Sequence, residues 1–67
     1  MNNNYTINGY LVRHCYAGID QYTVFDGDKE IGTCWSISAL AKMVGVDAET
    51  VNEEIWKQMF AKTVQGA

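Results

Sequence analysis

Apolar positions between Ile37 and Phe60 recur with a helical period. Ile37, Leu40, Ala41 and Val44 fall at i, i+3, i+4 and i+7, which predicts one buried helical face. Gly45 follows, where a helix ending in left-handed geometry favours a residue without Cβ, and Val46 can fold back onto Leu40 or Ala41. Asp47 is placed to cap a second helix, running to about Lys62. In it Val51, Ile55 and Met59 are four apart with Trp56 and Phe60 beside them, and Glu49, Asn52, Glu53 and Lys57 fall on the other face.

Upstream the period shortens to two. Tyr10–Tyr16 alternates Tyr10, Val12, His14 and Tyr16 with Leu11, Arg13 and Cys15. Gln21–Phe25 is the clearest strand, and Asp26-Gly27-Asp28 is a hairpin signal leading into a returning strand over Lys29–Trp35. Gly32 weakens that strand or marks a bulge. Asn8-Gly9 leaves two readings: Tyr5–Ile7 forms a small hairpin with Tyr10–Val12, or Gly9 bends one longer strand. The expected fold is α+β, a three-stranded antiparallel β-meander over residues 5–35 followed by two, at most three, short helices over 36–62 packed on one face. Residues 1–4 and 63–67 are expected to fray. The helix stripe is expected to meet Val12, Val24, Ile31 and one or two aromatics. Both strand faces carry apolar residues, so the covered face stays open.

The 67 residues are expected to form a single domain, and a chain this short buries only about 60% of its unfolded surface. Two Trp, four Tyr and two Phe help to fill so small a core. The net charge of −3 opposes a general affinity for nucleic acid or anionic membrane. No apolar run reaches the length of a membrane span, and the N-terminus lacks the regions of a signal peptide. A cytoplasmic protein with reduced thiols at Cys15 and Cys34 is expected.

No catalytic residue is assigned. His14 and Cys15 are neighbours, so on a strand they point to opposite faces, and His14 with Cys34 lacks a third orienting group. Two Cys and one His without a CxxC spacing make no zinc site, and Asp26–Glu30 lacks the late ligands of a calcium loop. The glycines do not group into a phosphate-cradling loop. Neither metal nor cofactor is implied.

Leu40, Ala41, Val44, Gly45, Val46, Val51 and Ile55 resemble the helix-turn-helix of phage repressors and Cro-like proteins. That resemblance implies a DNA-binding transcriptional regulator in which Asn52, Thr50 and Lys42 make the contacts. The positions that would enter the major groove are Asp47, Ala48, Glu49, Asn52 and Glu53, with Glu54 alongside, and carboxylates there repel phosphate.

The acids form two groups, Asp26, Asp28 and Glu30 at the hairpin and Asp47, Glu49, Glu53 and Glu54 at the start of a helix. Acids at a helix N-terminus are favoured by its dipole, and Glu53 with Lys57 is a favourable i, i+4 pair. The alternative is a protein-binding surface that imitates phosphates, with exposed aromatics among Tyr5, Tyr10, Tyr16, Tyr22 and Trp35 as anchors. In size, charge and the sequence of a β-meander before an acid-fronted helix, the chain is similar to anti-CRISPR proteins. That resemblance implies a non-enzymatic inhibitor from a phage or mobile element whose acidic surface mimics DNA. It would act as a monomer in the host bacterial cytoplasm and block nucleic-acid recruitment by a Cas-type effector or another nucleic-acid-binding complex. A third possibility is an assembly module whose acids only confer solubility.

Overall fold

A computed structural model describes residues 2–66, with side chains over residues 3–60. Among these residues, β1 (Asn2–Ile7), β2 (Tyr10–Tyr16), β3 (Asp20–Asp26) and β4 (Lys29–Cys34) precede α1 (Ile37–Val44) and α2 (Ala48–Gly66). The strands form one antiparallel sheet in the order β1-β2-β3-β4.

The architecture is α+β, but the meander has four strands where three were expected. Asn8 and Gly9 both adopt positive φ, 51° and 83°, which is the backbone of a two-residue hairpin turn. The turn sets the register Ile7↔Tyr10, Tyr5↔Val12 and Asn3↔His14. Pairing therefore carries Asn2–Asn4, expected to fray, into β1. Of the ends expected to fray, Met1 and Ala67 lie outside the described residues.

One sheet face is covered. Tyr5 and Ile7 from β1, Val12 from β2, Tyr22 and Val24 from β3 and Cys34 from β4 are buried against Leu40, Ala41 and Val44 of α1 and Val51 of α2. α1 lies over β3 and β4, and α2 packs against β1. Ile31 is not in this core. A register shift between Val24 and Phe25 pairs Val24 with Gly32 and Phe25 with Glu30, so Ile31 is the extra residue of a bulge and is 43% exposed. Gly32 takes its place beneath α1, where an added Cβ would lie 2.7 Å from Met43 Cε.

The helix ends follow from their local sequences. Ser36 caps α1 through its hydroxyl, which accepts from the Ala39 N–H at 3.2 Å. Gly45 closes it in left-handed geometry (φ 76°), and the Val46 N–H reaches the Ala41 carbonyl at 3.0 Å. The hairpin turn contributes too, because the Asn8 side-chain amide donates to the Val44 carbonyl at 2.6 Å.

Candidate functional site

The two groups of acids are separated by the fold. Asp26 and Asp28 are exposed at the β3–β4 hairpin. Glu30 pairs with Phe25, whose neighbours in register lie on the uncovered face, so Glu30 belongs to the layer opposite the helices. Asp47, Glu49, Glu53 and Glu54 lie on the helical side.

The four helical acids differ in what they do. The Asp47 carboxylate caps α2, accepting from the Thr50 N–H at 2.9 Å. Hydrogen bonds from the Thr50 side chain, and then from its backbone, hold this carboxyl below the usual range. Glu54 is half-buried, 3.8 Å from Lys57 Nζ. Lys57 was expected to serve Glu53, but the i, i+3 pair with Glu54 forms instead. Glu49 and Glu53 remain exposed, without an ion pair among the described residues.

Sequence reading placed Trp56 and Phe60 beside the buried stripe of α2. Each is instead 69% exposed. At 3.6 residues per turn, Glu49, Glu53, Trp56 and Phe60 (i, i+4, i+7 and i+11) fall within roughly 60° of one another around the axis. Val51 is on the far side, buried against the sheet. The outward face of α2 thus carries carboxylates in its first turns and two aromatics further on. The signal that could have found this face is the spacing of the two aromatics with the acids; adjacency to the stripe hid it.

Of the aromatics expected as anchors, Tyr5 and Tyr22 are buried, and Tyr16 and Trp35 are exposed. Burial raises the pKa of the Tyr5 hydroxyl, with the Asn3 side chain opposing it, and burial followed by the charge of Asp20 raises that of Tyr22. Between them His14 stacks on Tyr22 with centroids 4.6 Å apart, and its Nε2 lies 2.8 Å from Asp20 Oδ1. His14 Nδ1 and Tyr5 Oη are buried without a hydrogen bond of ordinary geometry.

His14 and Cys34 share the covered face, but the row reads His14↔Tyr22↔Cys34, so the Tyr22 ring stands between them. Burial pushes the Cys34 thiol up, against a smaller opposing effect of the Ser36 backbone; the Sγ donates to the Ser36 carbonyl at 3.9 Å. Burial thus favours the protonated, poorly nucleophilic sulfur. Cys15 is on the opposite face. Among the described residues, no group of His, Cys, Asp and Glu has the arrangement to hold a metal ion, and no helix is long and apolar enough to cross a membrane. Comparison with protein-family models, curated proteins and solved structures gives no match for this chain.

Proposed function

We propose that this protein is a non-enzymatic inhibitor, similar to anti-CRISPR proteins, whose outward α2 face occupies a basic, nucleic-acid-binding groove on a Cas-type or comparable effector. The supporting observation is the shared exposure of Glu49, Glu53, Trp56 and Phe60 on one side of one helix. Carboxylates steer the helix to a positive surface and stand in for phosphates, while the aromatics supply the buried anchor that charge alone does not. Asp26 and Asp28 extend the negative field from the hairpin.

The test is retention of a nucleic-acid-binding protein from nuclease-treated host lysate, followed by competition of that protein's DNA binding. Retention that weakens with salt, with DNA displaced in proportion, is expected. Glu49→Lys with Glu53→Lys should abolish both while circular dichroism is unchanged. Unaltered retention by that variant sinks the mimic.

A second reading is a phage-type helix-turn-helix DNA-binding regulator. It draws support from the left-handed Gly45 turn and from the exposure of Asn52 early in α2. It predicts a shift of duplex DNA at low salt that fades steeply as salt rises. No shift at low salt removes it.

A further inference from the structure

The sheet face away from the helices presents Leu11, 38% exposed, and the half-buried Phe25 directly across from it, with Ile31 turned out of the core at the bulge. Arg13 stands over the Phe25 ring at 5.3 Å, and Glu30 lies beside Phe25 on the other flank. The apolar centre is thus bracketed by one cation and one anion.

We propose that this face is the seam of a two-fold-symmetric homodimer. A two-fold contact places residue i on j and j on i, so a self-docking face must carry complementary groups on either side of its axis. Here an axis crossing β3 between Thr23 and Phe25 exchanges the positions of Arg13 and Glu30. The same operation lays Leu11 against Phe25 of the second copy, and Phe25 against its Leu11. Each Arg13 then meets a Glu30, while the apolar side chains close over one another between the sheets.

The size of the face sets the strength. Strands of six or seven residues, about 4.8 Å apart with about 3.3 Å per residue, make a face of roughly 20 by 20 Å. Two such faces bury on the order of 800 Å² or somewhat more, which belongs to weak, concentration-dependent contacts. Both α2 faces would lie outermost, on opposite sides of the dimer. The dimer does not depend on what α2 binds.

Sedimentation velocity over a concentration series tests the seam. The wild type should pass from one copy to two as concentration rises. Arg13→Glu alone and Glu30→Arg alone should each remain single copies, and the exchanged variant R13E/E30R should associate again. Glu30→Arg makes the decisive single variant, because Glu30 is exposed and its side chain makes no ion pair or hydrogen bond among the described residues; circular dichroism checks both. A wild type that stays a single copy throughout overturns the proposal and leaves the face to a different protein. Association that survives Glu30→Arg, or is not restored by the exchange, overturns it equally.

Discussion

The side-chain amide of Gln58 bonds both backbone groups of Thr6: the Thr6 N–H donates to Oε1 and Nε2 donates to the Thr6 carbonyl, each at 2.8 Å. Thr6 lies on β1, an edge of the sheet, so the glutamine does what a further strand would do. Gln58→Ala should lower stability by about 1 kcal/mol, the net worth of a modest pair of hydrogen bonds. Gln58→Glu should lose more, because its carboxylate oxygen would face the Thr6 carbonyl. Urea midpoints measure both, and unchanged midpoints would mean that the clip contributes nothing.

Leu40 is fully buried where α1 meets the sheet. Leu40→Ala should cost about 3 kcal/mol, through lost transfer energy and the cavity left behind. Natural domains are stable by only about 5–15 kcal/mol, and small ones lie near the low end, so partial unfolding near 37 °C is expected in a thermal melt.

Asp47 gives α2 a pH-dependent start. Its folded pKa is depressed, so its contribution is present above the unfolded carboxylate value and is lost as pH falls through the folded one. Stability should therefore decline as pH falls below the ordinary carboxylate value of about 4, and Asp47→Asn, a neutral cap, should flatten that slope. An equal slope in both proteins would assign the decline to other acids.

Trp35 and Trp56 are both exposed, so tryptophan emission should be red-shifted and readily quenched by acrylamide in the isolated protein. Trp56→Ala should leave the melting midpoint within about 0.5 kcal/mol equivalent of wild type, as for other surface positions. The same substitution should weaken partner binding at least tenfold if Trp56 is an anchor. A marked loss of stability would mean that Trp56 serves the fold.

The thiols should separate kinetically. Cys15 is partly exposed and Cys34 buried, so a thiol reagent should label one equivalent quickly and the second only as the fold opens. Cys15→Ser should remove the fast phase. Two fast phases would contradict the burial of Cys34.

Much of this fold was legible because local chemistry and tertiary need agree. Ile37, Leu40, Ala41 and Val44 mark α1, and Gly45 and Asp47 behave as their residue types predict. β1 was harder: asparagine is uncommon in strands, and Asn2–Asn4 are held by pairing across the Asn8-Gly9 turn, which is not a local preference. The covered sheet face was undetermined because Leu11 and Phe25 are as apolar as Val12 and Val24. The acids of the site were visible individually. Their division among cap, ion pair and open surface depends on where the fold places Thr50 and Lys57.

The bulge at Ile31 has a consequence for oxidation chemistry. Continuing the alternation from Asp26↔Lys29 without an extra residue would seat Ile31 opposite Val24 and turn Cys34 to the same side of the sheet as Cys15. The single inserted residue reverses that parity and puts the thickness of the sheet between the two sulfurs. Within one folded copy of the chain the two thiols are held apart, so Cys15 can be oxidised or alkylated without Cys34 becoming its disulfide partner.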